Sequence, residues 1–454
     1  MEYSTIQKLQ LEGAKRLDAE YYQPEYLQVK ALLSKKALDT RPLVSLISKP
    51  VVTGSTPKIR EPKGDDTDIY FIKTDTVRDG QIVFEEADRL PVKQNIQNSA
   101  PTAGDILVTI IGATFDIVGR SAMVFPHYPK MNINQNVALI RPSAQILPGY
   151  LEAFLRGKYG REQLWQQSRQ TEQVNLNCRE IENILVPVPA QSFQEEVERS
   201  VKESHDRIGQ SITIYNAAES LLLQELGLKD FKADEDLYSV VNFSDVRTVN
   251  RMDAEYFQPK YEKLFKKMRA NVQHLGDLGK KIKKRPEIDV HREYNYTEIS
   301  DVNVGSAEVV NNRVVGRDLP ANANLSIKGG ELIVSKVRPT RGAIATIPLE
   351  WKKDHIVSGA FTIFQIESPL REYVLVVLRS LVGKLQMEKP TTGTSYPTIT
   401  DSDVENVLIP ILAEKTQQKI AELVRESHVA RKKATELLEE AKRKVEELIE
   451  GSMG

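Results

Sequence analysis

Cysteine is almost missing from this sequence. The chain has one cysteine, Cys178, and six histidines in 454 residues. A single cysteine cannot form a disulfide within the chain, and histidines scattered without ligand-like spacing do not form a metal site. The composition therefore predicts a protein of the reducing cytoplasm without a bound metal.

Long apolar runs and the parts of a secretory signal are also missing. Runs such as 106–111 and 374–378 are far shorter than the ~20 residues that a membrane-spanning helix needs. The first residues lack the basic start, apolar stretch and small-residue cleavage site of a signal peptide. We therefore expect no membrane segment and a cytoplasmic location.

Neither sign of charge is in excess. The 62 basic and 63 acidic residues leave a formal net charge of -1, which argues against a protein that holds nucleic acid by bulk positive field alone. Basic residues are concentrated locally, with five in the six positions 280–285. Such a distribution suits a subunit whose partners supply the rest of the contact with a polyanion.

The sequence motifs of nucleotide and cofactor chemistry are absent as well. No GxxxxGK[ST] loop is present, which excludes an ATP-driven motor of that kind. A glycine-rich cofactor loop and a motif such as Asn-Pro-Pro-Tyr, both needed by a base-modifying methyltransferase, are not found. These absences argue against the hypothesis of an enzyme that modifies or cuts DNA alone, and we predict no catalytic residue. Another alternative is a coiled-coil scaffold that binds only protein, but this hypothesis leaves two divergent β-rich sections without a function.

What the chain does contain is an internal repeat, visible when the sequence is compared with itself. Four anchor segments return in the same order, at offsets that fall from 235 to 223 residues. They are RLDAEYYQPEY and RMDAEYFQPKY (16–26, 251–261), GDILVTIIG and GELIVSKVR (104–112, 330–338), IENILVPVPA and VENVLIPILA (181–190, 404–413), and Glu-Ser-His (203–205, 426–428). Because the sections between the anchors have diverged, we interpret the halves as one scaffold with two different surfaces, although drift can also produce such divergence.

Short β-rich runs with turn signals alternate with helical patches in each half, which predicts an α+β fold. We expect two pseudo-repeated globular domains separated by a pair of long helices that form an antiparallel coiled coil. The expected segments are an N-terminal anchor repeat (1–40), a first globular domain (41–186), a first long spacer helix (187–230), a linker with the second anchor repeat (231–272), a second globular domain (273–409) and a second long spacer helix (410–454).

Each half ends in a segment whose apolar residues are spaced by three and four, which is typical of a coiled-coil seam. The candidate seam residues are Val197, Val201, Ile208, Tyr215, Leu222 and Leu226 in the first helix and Ile420, Leu423, Ala430, Ala434, Leu437, Ala441 and Leu448 in the second. The alternative is that each helix covers only its own domain. An antiparallel pair of ~35 residues would make a rod on the order of 50 Å long, which is between one and two turns of DNA.

In these features the chain resembles the DNA-specificity subunit of type I restriction-modification systems along essentially its whole length. The resemblance rests on YYQPEY and YFQPKY, VTGSTPK (52–58), IKTDTV (72–77), and LVPVPA and LIPILA before each helix. It implies that the two globular domains are target-recognition domains that read an asymmetric, two-part site on double-stranded DNA. It also implies two methyltransferase (modification) subunits, which hold the S-adenosylmethionine, and motor-nuclease restriction subunits in the full complex. A methylation-only or other phage-defence complex is the alternative setting.

The first domain offers polar residues on loops. The candidate DNA contacts are Thr53, Ser55, Thr56, Lys58, Arg60, Lys73, Thr74, Asn134 and Gln135, because hydroxyl and cationic groups position phosphates, and amides can read adenine. A solvated loop and an amide-rich turn explain the same residues without DNA.

The second domain offers cations. Its candidates are Lys280, Lys281, Lys283, Lys284 and Arg285, then Lys336, Arg338 and Arg341 in SKVRPTRGA, for which plain solvation is the alternative. This domain departs from the resemblance where LGDLGKKIKKRPEID (275–289) stands in place of a glycine-threonine-proline turn. Segments 169–177 and 391–398 are secondary candidates.

Two conspicuous features receive structural interpretations. Asp401 and Asp403 precede an apolar run and are expected to cap a helix. His205 and His428 recur at equivalent positions on helices, without ligand-like neighbours, and are expected to be structural.

Overall fold

The computed structural model describes residues 4–7, 11, 16–35, 38–57, 69–78, 80–114, 117–170, 174–233, 238–268, 270–351, 355–393 and 395–451. The chain divides into two compact units, 1–208 with 432–454, and 209–431. Both units mix helices and sheets, so the α+β prediction is confirmed. The division falls within the two long helices rather than at their ends.

The first unit combines several short-stranded sheets with a set of helices. Its helices are α1 (Pro24–Leu33), α2 (Pro148–Arg156), α3 (Lys158–Gln167), α4 (Cys178–Glu182) and the first part of α5 (Gln191–Glu225). Its strands are β1 (Thr40–Pro42), β2 (Ile47–Thr53), β3 (Ile69–Ile72), β4 (Val77–Arg78), β5 (Gln81–Ile82), β6 (Asp88–Leu90), β7 (Ile106–Thr109), β8 (Ile111–Gly112), β9 (Ser121–Met123), β10 (Met131–Ile133), β11 (Val137–Pro142), β12 (Arg169–Gln170), β13 (Val174–Asn175) and β14 (Leu185–Pro187). The main sheet has the order β2-β11-β7-β9, and β3 lies between β10 and β6 in a separate three-stranded sheet.

The second unit has the same parts. Its helices are α6 (Phe243–Val249), α7 (Pro259–Lys267), α8 (Leu275–Leu278), α9 (Leu370–Arg379), α10 (Leu381–Glu388), α11 (Asp401–Glu405) and the first part of α12 (Glu414–Gly451). Its strands are β15 (Asn271–His274), β16 (Lys280–Ile282), β17 (Glu293–Thr297), β18 (Asn312–Val315), β19 (Ala323–Ile327), β20 (Leu332–Ser335), β21 (Ile344–Thr346), β22 (His355–Ser358), β23 (Phe361–Gln365) and β24 (Leu408–Ile411). The sheet β16-β23-β20-β21 repeats the order of the main sheet of the first unit.

Side-chain contacts repeat along with the strands. The Tyr150 hydroxyl donates to the carbonyl of Pro187 at 3.0 Å, and the Tyr373 hydroxyl, 223 positions later, donates to that of Pro410 at 2.5 Å. Each tyrosine is fully buried, so a partner for its hydroxyl is required. The internal repeat in the sequence is therefore a repeat of structure, built on buried polar contacts as well as on the apolar core.

In the first unit, α5 and α12 lie side by side in opposite directions. The Ser204 hydroxyl donates to the carbonyl of Ala434 at 2.7 Å, and Lys444 Nζ lies 2.7 Å from a carboxylate oxygen of Glu196. The positions rise on one helix as they fall on the other, which is the antiparallel arrangement. Val197 and Ala441 are fully buried and Val201 nearly so. The small side chains allow the two helix backbones to approach closely.

The same arrangement is present in the second unit, where Ser211 and Ser427 meet with their hydroxyl oxygens 2.9 Å apart. Leu222, Leu226 and Ile420 are fully buried, and Tyr215 is half-buried. Ser204, Ser211 and Ala218 are buried at the steps between the predicted seam residues of α5, so the burial of α5 is more regular than its hydrophobic pattern.

The seam predicted on α12 needs correction at every second step. Ile420, Ala434 and Ala441 are buried as expected, and Ala430 is buried beside the line that they form. Leu423, Leu437 and Leu448 are only half-buried. The buried line runs instead through Val424, Arg431 and Val445. After Ile420 the next residue of this line is four positions on, at Val424, and not three positions on, at Leu423. The buried arginine is the reason that an apolar template missed this register.

Two short helices begin in equivalent capping boxes. The Asn177 side chain accepts from Glu180 N, and the Thr400 side chain accepts from Asp403 N, each with the reciprocal bond from the acidic residue. Such a cap stabilises by about 1 kcal/mol. Asp403 thus has the capping role expected of it. Within the described part of the chain, no helix is both long and apolar enough to cross a bilayer.

Candidate nucleic-acid interface

Three candidate segments of the first unit lie next to one another, although up to about eighty residues separate them in sequence. The backbone N–H of Gly54 donates to the carbonyl of Asn134 at 3.1 Å, and the N–H of Asn134 donates to the carbonyl of Ile72 at 3.0 Å. The loop after β2, the turn before β11 and the end of β3 are thereby joined through their backbones. We call residues 53–56, 73–74 and 134–135 the first polar face.

Gly54 is required for this junction. A Cβ atom at position 54 would lie 1.7 Å from the carbonyl oxygen of Ile133, far inside any allowed contact. The glycine of VTGSTPK therefore permits the close approach of loop and strand. It also leaves Ser55 and Thr56 exposed beside the exposed Gln135.

The other members of the first polar face are constrained. The side-chain oxygen of Asn134 accepts from Asn136 N at 3.0 Å and Asn134 is buried, so this amide holds the turn. Lys73 Nζ lies 3.2 Å from a carboxylate oxygen of Asp88. The Thr74 hydroxyl oxygen is buried without a hydrogen-bond partner among the residues that the structure describes. Thr53 is half-buried at the end of β2. Lys58 and Arg60 lie outside the described residues.

In the second unit the cations gather beside the main sheet. Strand β16 pairs with β23, which carries Lys280 and Lys281 to the sheet edge, and Lys336 follows the neighbouring strand β20. A cleft of about 230 Å³ is lined by Lys281, Lys283, Arg285 and Lys336 together with Asn324 and Asp401. The run 280–285 and Lys336, 51 positions later, therefore belong to one site, which we call the second basic face.

Two lysines of the second basic face are neutralised. Lys281 Nζ lies 2.6 Å from a Glu405 carboxylate oxygen, and this hydrogen bond raises the pKa of Lys281. Lys336 Nζ lies 2.7 Å from Asp401 Oδ1. Burial alone would raise the pKa of Asp401, but the hydrogen bonds from Lys336 and Thr362 outweigh it and leave that pKa lowered. Asp401 therefore holds Lys336 in place, a role that the helix-capping interpretation did not anticipate.

The remaining cations of this face point to solvent. Lys280, Lys283, Lys284 and Arg285 are exposed, and among the described residues no carboxylate lies within ion-pair distance of them. Cations without a protein carboxylate are the ones available for phosphate. In a chain whose basic and acidic residues nearly balance, these four exposed cations form a local concentration of positive charge that could hold a polyanion.

Arg338 and Arg341 stand on the turn after β20. Arg338 has a φ of 48°, in the left-handed region, and its guanidinium lies 4.4 Å from the ring centre of Tyr396. Tyr396 is 66% exposed, so one face of its ring is open to solvent. Arg341 is exposed at the same turn. The stacked pair presents a flat aromatic and cationic surface of the kind that contacts bases or sugars.

Tyr396 and Asn324 were missed at the sequence level. Tyr396 lies in segment 391–398, which ranked only as a secondary candidate, and an aromatic residue inside a glycine- and threonine-rich turn was the available signal. Asn324 lies on β19, and its amide packs against Gly359 in the cleft of the second basic face. Nothing in its local sequence distinguishes it, because it reaches the cleft through strand pairing.

Histidines 205 and 428 occupy half-buried helix positions. The ring of His205 stacks on Phe125 with centroids 3.5 Å apart. Burial, and then the charge of His127, lowers its pKa to about 4. Burial and Arg431 likewise lower the pKa of His428 to about 4. Among the described residues, no group of three or more potential metal ligands is found.

The repeated motif that begins each half exposes an apolar side chain. Arg16 pairs with Asp18 and donates to the Gln167 carbonyl at 2.9 Å, while Arg251 pairs with Asp253 and donates to the Pro390 carbonyl at 2.9 Å. The residue between the members of each pair is turned outward. Leu17 is 82% exposed and Met252 is 86% exposed. One equivalent apolar position is thus presented to solvent in each unit.

Comparisons with known proteins agree with the resemblance noted in the sequence. No family model matches the chain. Over 160 residues it is 24% identical to the type I restriction enzyme HindI specificity subunit of Haemophilus influenzae, covering 33% of each chain. Over 172 residues it is 28% identical to the EcoBI specificity subunit of Escherichia coli, covering 37% of this chain and 35% of that one. The resemblance to type I specificity subunits is therefore confirmed, and the matches span about a third of the length of these relatives.

Among solved structures, the chain matches an S subunit of a type I restriction-modification system from M. genitalium. It has 12% identity and a TM-score of 0.40, covering 91% of this chain and 97% of that one. The HsdS subunit from Thermoanaerobacter tengcongensis has 14% identity and a TM-score of 0.30, covering 92% and 98%.

Proposed function

We propose that this chain is the DNA-specificity subunit of a type I restriction-modification complex. Its two units would each read one part of an asymmetric target on double-stranded DNA. The observation that carries the proposal is one sheet topology built twice, with a neutral, hydroxyl- and amide-rich face in the first unit and a basic face in the second. Two surfaces of different chemistry on one scaffold suit the reading of two different half-sites.

The two faces suit different parts of DNA. The second basic face offers Lys283, Lys284 and Arg285 for phosphates, with the Arg338–Tyr396 pair beside the same sheet. The first polar face offers hydroxyls and an amide, which favour hydrogen bonds to base edges and sugar over bulk attraction. We therefore expect the second unit to contribute most of the salt-sensitive affinity.

The helix pair supports a two-part target. The antiparallel contacts of Ser204 with Ala434 and of Ser211 with Ser427 are those expected if α5 and α12 form an antiparallel coiled coil. At 35 and 38 residues these helices would extend about 52 to 57 Å. Such a spacer would place a few unread base pairs between the half-sites, and a palindromic or continuous target would refute this geometry.

We assign catalysis to partner subunits. The sequence contains neither a cofactor loop nor a base-holding motif, so S-adenosylmethionine belongs in a methyltransferase partner under this proposal. The exposed Leu17 and Met252, at equivalent positions of the two units, suit two copies of one partner. A restriction subunit with motor and nuclease activity would complete the complex in the cytoplasm. A methylation-only or other phage-defence complex would use the same faces.

The proposal is tested by mixing the purified chain with S-adenosylmethionine and DNA, with and without a candidate methyltransferase. We expect methylation only when both proteins are present, at one two-part sequence. Methylation by the chain alone would refute the non-catalytic role. Leu17→Asp and Met252→Asp should each weaken partner binding at least tenfold, whereas Val429→Asp, at a 69% exposed residue of α12, serves as the control.

A second experiment assigns the half-sites. Residues 40–185 are exchanged for the matching section of another specificity subunit, and the methylated sites are sequenced in cells that contain the partner. One half of the target should change while the other stays. A change in both halves, or in neither, would refute the assignment of one half-site to each unit.

A further inference from the structure

A short loop of the second unit is closed on itself. Residues 303–308 connect the region of β17 to β18, and the Asn303 N–H donates to the Glu308 carbonyl at 2.8 Å. The Asn303 side-chain oxygen accepts from the N–H groups of Gly305, at 2.9 Å, and Ser306, at 3.1 Å. These hydrogen bonds fix the shape of the loop, so a contact that holds the loop also holds the adjoining strands β17 and β18 of the second recognition domain.

Arg379 holds this loop from the end of α9. Arg379 is 7% exposed, and its Nη2 donates to the carbonyls of Val304 at 2.8 Å and Gly305 at 3.0 Å. Its Nε donates to the Tyr215 hydroxyl of α5 at 2.9 Å. Its Nη1 donates to carbonyls in the turn 342–344. One guanidinium thus joins the loop, the main sheet and the long helix α5.

Arg431 makes a second link from the buried line of α12. This residue is 6% exposed, its Nε lies 3.2 Å from the Ser211 hydroxyl, and its Nη1 lies 3.3 Å from a Glu308 carboxylate oxygen. Ser211 also meets Ser427 of α12. Loop 303–308 is therefore tied to both long helices through two buried arginines, one at each end of the loop.

The scaffold does not require this polar arrangement. At the 223-residue offset, the first unit has Ile208 where the second has Arg431, and Leu438 where the second has Tyr215. Only Arg156, the counterpart of Arg379, is retained. A buried arginine is costly relative to an apolar residue of similar size, so its presence at one of two equivalent sites points to geometric specificity rather than stability.

We propose that Arg431 and Arg379 are positioning residues that fix the second recognition domain on the helix pair, so that the complex accepts one spacing between its half-sites. This inference rests on the proposed function. A recognition domain that can tilt on its helices reaches neighbouring registers of the DNA, whereas one tied at two points does not. Each base pair of spacing shifts a half-site by about 3.4 Å and rotates it by about a tenth of a turn, so small tilts matter.

The test compares DNA duplexes that carry both half-sites, as mapped by methylation, with the native spacing or with one base pair more or fewer. The complex with its methyltransferase is used throughout. Arg431→Ile installs the residue found in the first unit, and Tyr215→Phe removes only the hydrogen bond from Arg379 to α5 while the ring stays beside the guanidinium. In each variant we expect the preference for the native spacing to fall at least tenfold. Affinity at the native spacing should fall less than about threefold. Arg431→Lys should keep more of the preference for the native spacing than Arg431→Ile does.

Ile208→Val is the matched control, because it alters the equivalent seam position, where the apolar side chain makes no hydrogen bond or ion pair. A uniform loss of affinity at all spacings, with an unchanged preference, would mean that the arginines are merely structural and would overturn the inference. An equal loss of preference in Ile208→Val would overturn it as well. If the unchanged complex shows no sequence-specific binding, the proposed function itself fails, and this result is distinct from either of the others.

Discussion

The exposed cations of the second basic face allow a quantitative prediction about salt. Each phosphate neutralised on duplex DNA contributes about 0.9 to the slope of log affinity against log salt concentration. Lys283, Lys284 and Arg285 are exposed without a carboxylate partner among the described residues. Replacing all three with alanine should therefore reduce the magnitude of the slope by up to about 2.7.

When salt is raised from 50 to 200 mM, both proteins lose affinity, and the loss in the variant should be about 40-fold smaller than the loss in the unchanged protein. Lys281 and Lys336 already bond to carboxylates, so Lys281→Ala or Lys336→Ala should each change the slope by well under ~0.9. This contrast comes from the structure, since all five cations look alike in the sequence.

The assay is fluorescence anisotropy of a labelled duplex with the assembled complex, over a series of salt concentrations. The control removes three exposed lysines elsewhere in the second unit, Lys229, Lys232 and Lys266, and so matches the change in net charge. An unchanged slope in the 283–285 variant, or an equal reduction in the control, would refute the assignment of this face to phosphate contact.

Three further predictions concern single residues. Gly54→Ala forces Cβ into the Ile133 carbonyl, so recognition of the first half-site should be lost while recognition of the second is retained. The free energy of unfolding should also fall by roughly 1–3 kcal/mol. Sequencing of the methylated sites checks the first effect, and urea unfolding checks the second. Thr400→Ala removes a helix cap and should lower the free energy of unfolding by about 1 kcal/mol, with Thr400→Ser close to the unchanged protein in the same urea assay. His205 has a pKa of about 4 when folded against 6.5 unfolded, so its stabilising effect is complete above pH 6.5 and is lost as the pH falls towards 4. His205→Phe, which retains a ring for stacking, should weaken the dependence of unfolding free energy on pH in this window, and an identical dependence would contradict the burial of a neutral imidazole beside His127.

Much of the fold could be predicted because the repeat is written in the sequence itself. The anchors around residues 16–26 and 251–261 predict duplicated units, and alternation of short β-rich runs with helical patches predicts the mixture of helix and sheet. The register of α12 could not be predicted in the same way. An apolar template selects Leu423 and passes over Arg431, since nothing local indicates that a charged residue finds Ser211 and Glu308 as partners.

The candidate site was only partly predictable, for a similar reason. Residue type identified the run 280–285 as basic, but it could not separate Lys281, which is bonded to Glu405, from Lys283, which is exposed. Asn324 enters the cleft through β19, and strand pairing is not encoded in the neighbours of one residue. Partners distant in sequence decide which side chains remain available, and a single sequence does not identify such partners.

The backbone junction at Gly54 bears on how recognition can evolve. The loop after β2 is held by N–H and carbonyl groups of Gly54, Asn134 and Ile72, so its shape does not depend on the side chains of Ser55, Thr56 or Gln135. Substitutions at those three exposed positions can alter the chemistry offered to DNA without a change in the loop's path. A lineage under pressure to change its target could therefore sample new specificities by point mutation, provided that the glycine is retained.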